Sequence, residues 1–449
     1  MPKISAVLIV KDEASRLAAC LAALQEVADE IIVADTGSTD GTLAIAETFT
    51  PHCHRIPWEN DFAAARNRAI AEAAGPWILS IDADEVIEDP AGARALLASF
   101  IQDQPDGVTG TIQHRSPTGT GAAARVVTGD VERFFPKARY QFTGMIHEQL
   151  APVTGAHAGT ASTGVTVRHS GYAHDGGAPD HKGLRNLPLL EGAVAAEPDN
   201  EYYHYQLGKT LFALEQYAAA AEAFEGALER ISFGETPTGS GGGPIAREML
   251  TTLVTSLAYA YANTGRLRDA ELLLSEHIDI GHPGTQRADF YHACGYIALM
   301  LGDVARARAG YEESMRCGQV REDVAGTGSH ASAYHLGLLA EAEQDLAGAI
   351  GHYGDALQFK PDYQLALDRY VDFMVENQFG IAPGIQARAD RTALHATCLR
   401  KLKQYLDAGE KARADFLITA VGLLALTNKA LAGDLLDRCQ EIRRPYGMA

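Results

Sequence analysis

Long apolar runs are missing from this chain. None of its 449 residues sits in a stretch that approaches the length needed to cross a bilayer. The apolar core of Met1–Val10 is too short for a signal peptide and reads as a first strand, so a cytoplasmic protein is expected. Cysteine is scarce. The six cysteines (20, 53, 294, 317, 398 and 439) stand far apart without metal or redox spacing, which points to reduced, partly buried thiols. His52-Cys53-His54 invites a metal reading, but between Pro51 and Pro57 it reads better as loop. Positive charge is also short. Thirty-eight Lys and Arg against 58 Asp and Glu leave a net charge of −20, with no basic patch, so nucleic acid is not an expected partner. What remains is an ordinary soluble composition, 46% hydrophobic and 21% charged, long enough for two or three domains.

The first half alternates strand and helix signals. Ile4–Val10, Glu30–Ala34 and Trp77–Ile81 read as strands. Ala14–Leu24, Thr39–Phe49 and Ala63–Ala74 read as helices, with Ser38, Thr39 or Asp40 able to cap the second and Asp61 the third. This βαβαβ order argues for a parallel sheet with crossover helices. After Asp84 the pattern loosens, and residues 107–172 read as mixed strands and loops, with Val108–Gln113, Arg125–Val127 and Val165–His169 as candidate strands.

From about residue 183 the chain turns to alanine-rich helices. One spacing recurs four times, a small residue followed by a second twelve on and a large one four beyond that. It is met at Gly208/Ala220/Phe224, Ala258/Ala270/Leu274, Gly295/Ala307/Tyr311 and Gly337/Ala349/Tyr353. Two antiparallel helices that pack closely and offer a knob to the next pair need this arrangement. It matches the tetratricopeptide pattern, whose period is about 34 residues. The copies here lie 50, 37 and 42 residues apart, so insertions are expected, and Thr236–Pro244 has the composition of one. The expected domains are an α/β domain over 1–180, helical repeats over 181–384, and closing helices over 385–449.

The chemistry gathers at strand ends. Asp82 and Asp84 follow the strand Trp77–Ile81, where open α/β sheets bind ligands. Two carboxylates there can hold a divalent cation, and the cation a diphosphate. Lys11-Asp12-Glu13 and Asp35–Thr42 follow the first two strands and open on the same edge. Asp35 can accept hydrogen bonds from a base or ribose. Arg66 suits a carboxylate of the site or a phosphate. His147-Glu148 follows apolar residues and offers a base for an acceptor's proton. Lys182 and Arg185, on the way into the helical half, can reach a diphosphate.

Taken in order, Ile9-Val10-Lys11-Asp12-Glu13, Asp35–Thr42, Asp61-Phe62 with Arg66-Asn67, and Asp82-Ala83-Asp84-Glu85 resemble glycosyltransferase family 2 with its GT-A fold, over about residues 3–175. Arg133-Phe134, Ile146-His147-Glu148 and His169–Tyr172 resemble the subgroup with helical repeats, which includes bacterial peptide S- and O-glycosyltransferases. Asp12 stands where the family often has Asn, and Phe135 where many members carry Arg. The resemblance implies a GT-A domain followed by tetratricopeptide-like repeats. It implies an inverting transfer from a nucleotide-sugar, usually UDP-linked, that depends on Mn²⁺ or Mg²⁺. Donor binding would fall to Lys11, Glu13, Asp35, Arg66, Asp82 and Lys182, metal binding to Asp84 and His169, and catalysis to Glu148 and His147. The expected acceptor is a peptide or protein side chain held by the repeats. The alternatives are a saccharide or small-metabolite acceptor with the repeats forming a homodimer, and an inactive scaffold.

Overall fold

The computed structural model describes residues 3–118, 125–169, 181–231, 247–278, 288–319, 324 and 326–446. Two compact units emerge, Met1–Gln216 with Glu229–Ile245, and Tyr217–Leu228 with Ala246–Ala449.

The first unit is built on strands β1 (Ile4–Val10), β2 (Glu30–Asp35), β3 (Cys53–Arg55), β4 (Trp77–Ser80), β5 (Glu85–Ile87), β6 (Thr109–Thr118), β7 (Arg125–Pro136) and β10 (Thr160–His169), with β8 (Tyr140–Thr143) and β9 (Gln149–Pro152) as a separate hairpin. The large sheet runs β3-β2-β1-β4-β7-β6-β10-β5. Its first four strands are parallel, as the βαβαβ reading requires. Helices α1 (Leu17–Val27), α2 (Thr42–Phe49), α3 (Phe62–Ala71) and α4 (Pro90–Asp103) cross between strands. With both faces covered, β1 reads Ile-Ser-Ala-Val-Leu-Ile-Val without polar alternation and is buried nearly throughout.

Several details differ from the sequence reading. His52-Cys53-His54 is not simply loop, since Cys53–Arg55 pairs with β2 as an edge strand. The cap of α2 is Gly41 rather than Ser38 or Thr39, while Asp40 accepts from the Thr42 N–H at 2.9 Å. Helix α4 is new. Asp89 caps it and Pro90 opens it, with Ala93, Leu97 and Phe100 buried along one face. All six cysteines are free, as expected.

Helices α5 (His181–Ala196) and α6 (Glu201–Ala213) belong to this first unit. Leu190, Ala193 and Tyr203 on them form one apolar cluster with Ile146 from the β8–β9 loop.

The second unit is helical. Helix α7 (Tyr217–Arg230) leads into hairpins α8/α9 (Arg247–Asn263, Leu267–Glu276), α10/α11 (Ala288–Met300, Val304–Cys317) and α12/α13 (His330–Ala342, Leu346–Phe359). Then come α14 (Gln364–Glu376), α15 (Pro383–Arg388), α16 (Arg391–Asp407), α17 (Lys411–Thr427), α18 (Lys429–Ala432) and α19 (Leu435–Arg443). The hairpin turns share one backbone bond, Arg266 N–H to Tyr261, Asp303 to Ala298 and Asp345 to Ala340. The recurring small residues have a steric cause. A Cβ on Gly295 would lie 2.9 Å from the Tyr311 ring, and one on Gly337 2.6 Å from the Tyr353 ring. Both tyrosines are fully buried. This is the helix-on-helix packing of tetratricopeptide-like repeats.

The 42-residue spacing also has an explanation. Thr327, in the connection between α11 and α12, is drawn into the interior. Its carbonyl accepts from Ser314 at 2.6 Å and Ser332 at 2.5 Å, and its hydroxyl donates to Asp289 at 2.9 Å. Beside it His292 Nδ1 lies 2.8 Å from the Ser332 hydroxyl, and the His335 ring stacks on Tyr311 with centroids 4.8 Å apart. Burial pushes His292 down to about 3, with help from His335, and pushes His335 down to about 4. In the unfolded chain each takes up a proton near pH 6.5, while in the fold each stays neutral until far lower pH. Stability is therefore full above about pH 6.5 and falls as the pH drops toward 4, by up to about 1.4 kcal/mol per pH unit for each histidine. Urea midpoints of the full chain between pH 7 and pH 5 should show this decline. His335→Phe keeps the stacking surface and loses no bond at Nδ1, which has no hydrogen-bond partner among the described residues, and should flatten the slope. An unchanged slope would remove His335 from the account.

Candidate active site

Strand register assembles the site. Val10 pairs with Asp35, and Val7 with Ser80, so the loops after β1, β2 and β4 meet on one sheet edge. Two of these loops are clipped together. Asp12 Oδ1 accepts from the Thr39 N–H at 2.7 Å, the Asp12 N–H donates to Ser38 Oγ at 2.9 Å, and the Glu13 N–H to Thr42 Oγ1 at 2.7 Å. On the far side of the sheet His169 pairs with Glu85 across β10 and β5. That places His169 Nε2 3.3 Å from Asp84 Oδ2, although 85 residues separate them.

A cavity of about 650 Å³ opens on this edge. Lys11, Glu13, Thr36, Arg66, Asp82, Asp84, His147, Glu148 and His169 line it. The structure thus gathers most of the residues singled out from the sequence. Asp35 is not on the lining. It is buried at the end of β2, where Oδ1 accepts from the Ser38 N–H at 2.9 Å and the Ser38 hydroxyl at 2.5 Å. Lys182 lies in the first turn of α5, and its side chain is outside the described residues, as are Ser170 to Tyr172.

Arg66 is the hub. Asp61 starts α3 by accepting from the Ala64 N–H at 2.8 Å, and the helix then carries Arg66 under the cavity with only 5% exposure. Its Nε donates to Glu148 Oε1 at 2.6 Å, Nη2 to Asp82 Oδ1 at 2.7 Å and Nη1 to Ser80 Oγ at 3.3 Å. The next residue, Asn67, grips the backbone of Phe142 in both directions, donating to its carbonyl at 2.8 Å and accepting from its N–H at 2.9 Å. One turn of helix thereby fixes the β8–β9 hairpin, whose loop holds Gly144 and His147 at positive φ (97° and 53°) and carries Glu148.

The other oxygen of Asp82 accepts from Arg133 at 2.9 Å. Burial opposes ionisation of Asp82, but Arg66 and Arg133 outweigh it and hold the carboxyl well below its usual range. Burial, with Asp82 beside it, pushes Glu85 up to about 7. Glu85 accepts from the Asp82 N–H at 3.0 Å, and its other oxygen lies 3.4 Å from His114 Nδ1. Burial first, and then Arg133 and His169, push His114 down to about 4. Arg133, Glu85 and His114 were not assigned roles from the sequence. Only Arg133 and Glu85 fall inside a motif; Glu85 meets Asp82 through a local turn, whereas Arg133 and His114 arrive by pairings across the sheet that no local pattern reveals.

The residues present fit a divalent cation of one kind. Among the described residues no group of three or more His, Cys, Asp or Glu side chains is arranged to hold a metal. Asp84 and His169 form a two-donor pair on the cavity wall. Such a pair suits an ion whose other ligands are phosphate oxygens and water. The imidazole favours Mn²⁺ over Mg²⁺.

The first unit is an α/β domain with a mixed sheet, whose carboxyl edge carries the acidic loops and the cavity. Comparison gives it a family. Residues 5–154 match the Glycosyl transferase family 2 model, so the first unit carries a domain of that family. A TPR repeat-containing protein of Synechococcus elongatus is 34% identical over 218 residues, 47% of this chain and 53% of that one. The SPbeta prophage-derived glycosyltransferase SunS of Bacillus subtilis is 28% identical over 219 residues, 48% of this chain and 50% of that one. The chain thus spans about half the length of these relatives. Among solved structures, the C-terminal part of a TPR repeat-containing protein from Cytophaga hutchinsonii aligns with a TM-score of 0.38 and 13% identity, over 59% of this chain and 91% of that one.

Arg66→Met leaves the Glu148 carboxylate, only 12% exposed, without its guanidinium and removes one of two from Asp82. Urea unfolding should show a loss of about 3–5 kcal/mol. Arg66→Lys should recover only part, since an ammonium cannot reproduce the fork. A loss below about 1 kcal/mol in the methionine variant contradicts the hub role.

Proposed function

We propose that this chain is an inverting, metal-dependent glycosyltransferase that moves a sugar from a nucleotide-sugar, UDP-linked, to a peptide or protein side chain. The observation that carries the reading is that Asp84 with His169 and the Arg66-held Glu148 line one cavity. The family of the domain and the glycosyltransferase SunS among its relatives agree with it.

The residues divide the work. Glu148 keeps Oε1 on Arg66. Its Oε2 makes no hydrogen bond among the described residues and takes the proton of the acceptor nucleophile as that atom attacks the anomeric carbon. Attack from the face opposite the departing diphosphate inverts the configuration. Asp84 and His169 would hold the divalent cation, which when bound supplies neutralisation of charge on the departing diphosphate. Lys11 adds a cation at the rim for the same oxygens. Asp82, clamped between two guanidiniums, offers a fixed carboxylate edge to the donor. Asp35 acts through Ser38 by shaping the loop over the nucleoside. His147 borders the cavity next to Glu148, where it assists proton movement. The helical unit gives the acceptor a second surface, as arrays of this type do.

Incubation with UDP-sugars, Mn²⁺ and candidate acceptors tests the reading by release of UDP. Asp84→Ala should abolish turnover with the fold kept. Glu148→Gln should lower kcat by about 10²–10⁴ while the donor KM holds. Full activity in either variant removes that residue from its role, and a wild-type chain that releases no UDP from any donor would be a scaffold.

A further inference from the structure

We propose that α5 forms the acceptor wall of the cavity, and that this wall takes a peptide segment with an apolar residue beside the nucleophile. The inference rests on the donor chemistry proposed above and adds the acceptor's chemical class. Arg185, Pro188, Leu189 and Gly192 all border the cavity at the three- and four-residue spacing of one helix face. Two of them break the local rules of a helix on that face alone. Pro188 sits inside α5, where it gives no N–H to the Leu184 carbonyl. Gly192 sits one turn further on, where alanine would make a firmer helix. Packing does not account for this glycine. A Cβ there would meet nothing within 4 Å, whereas Cβ atoms on Gly295, Gly310 and Gly337 would all come closer than 3.0 Å to a neighbour. Its φ is not in the left-handed region either. Residues that offend local propensity at the edge of a binding cavity are expected to serve that cavity.

The chemistry of the wall sets the class of occupant. Leu189 packs in one apolar cluster with Phe62 and Met145, which also line the cavity, and with Ile146, two residues before Glu148. Trp58 lies edge-on to Phe62 with centroids 4.8 Å apart. Arg185 lies over the Phe62 ring at 6.0 Å, and its Nε donates to Asn186 Oδ1 at 3.2 Å. An apolar side chain of the acceptor finds its desolvated contact here, while a lysine side chain would lose hydration beside the like charge of Arg185. Gly192 leaves room for the chain to pass.

The test uses the full chain, UDP-glucose and UDP-N-acetylglucosamine with Mn²⁺, and blocked pentapeptides. Each peptide has a central Ser, Thr or Cys flanked by Leu, Phe, Lys or Glu. Transfer is read by mass, acceptor KM by kinetics, and UDP affinity by calorimetry. The wild-type chain should favour Leu or Phe flanks over Lys flanks at least tenfold in kcat/KM. Gly192→Leu should raise the acceptor KM at least tenfold, with UDP affinity within twofold and an undiminished unfolding midpoint. Gly192→Ala should fall between. Equal use of Leu- and Lys-flanked peptides, an unchanged acceptor KM in the leucine variant, or unfolding of that variant would each overturn the inference. So would donor hydrolysis without modification of any peptide, which leaves the donor reading standing. A wild-type chain that binds no UDP sinks the donor reading and this inference with it.

Discussion

The site turns on one buried guanidinium. Arg66 holds Glu148 with one nitrogen and Asp82 with another, and so fixes the distance between a carboxylate from a loop at residue 148 and a carboxylate from a strand end at residue 82. A buried ion pair of this kind adds little net stability, because desolvation of the charges offsets their attraction. What it supplies is geometry. The guanidinium is planar and presents its donors in a rigid fork, so the two carboxylates stand in a set relation to each other. With Arg133 on the opposite oxygen, Asp82 has little freedom to move. Electrostatic preorganisation needs such stiffness, since charges that must turn toward the reacting atoms lose part of their effect.

The same helix does several things at once, and this explains why an alanine-rich helix carries Arg66 and Asn67 on its inner side. Asp61 starts the helix, Phe62 packs into the apolar cluster, Arg66 joins the carboxylates and Asn67 pins Phe142. A helix that only covered a sheet would need an apolar stripe and a solvated face. Here the buried face includes an arginine, and the departure from amphipathic pattern marks the site. The β8–β9 loop is held from both sides, by α3 through these bonds and by α5 and α6 through Leu190, Ala193 and Tyr203. The first two helices after the sheet are therefore part of the support of the loop that carries Glu148.

Much of this was legible before any coordinates. Apolar runs placed β1, β2 and β4, and the parallel order followed from the helices between them. The carboxyl-edge position of Lys11, Asp82 and Asp84 needed only that order. The twelve-and-four spacing was legible because it has a steric cause, a tyrosine lying where a Cβ would be. What escaped was non-local. The pairing of His169 with Asp84 was expected only from the family resemblance, because it forms through the register of β10 on β5, a strand of three residues with no periodicity to detect. Arg133 reaches Asp82 from β7, which lies beside β4 only once the sheet has formed. Helix α4 is a different case. Its Asp89-Pro90 start and its Ala93, Leu97 and Phe100 face were present in the sequence, but the strongly acidic motif just before it read as the end of regular structure.

Asp12 shows how a departure from a family's habit can leave geometry intact. The residue sits at φ 54°, a backbone region that asparagine and aspartate tolerate better than other side chains. One oxygen accepts from both the N–H and the hydroxyl of Thr39, and its own N–H reaches Ser38. An amide oxygen could accept the same two bonds, so clipping the loops does not distinguish the two residues. Charge does. A carboxylate at position 12 adds to Glu13, Asp40, Asp82 and Asp84 on the edge proposed to take a diphosphate, and it is exposed enough for water to screen it. The β1–β2 clip therefore keeps its shape with either residue, and the electrostatic cost of aspartate must be met by the cations that face the cavity. Lys11 stands next to it, and Arg66 and Arg133 neutralise Asp82 from below. The acidic loop edge is workable because the Asp82 carboxylate is already paired on both oxygens.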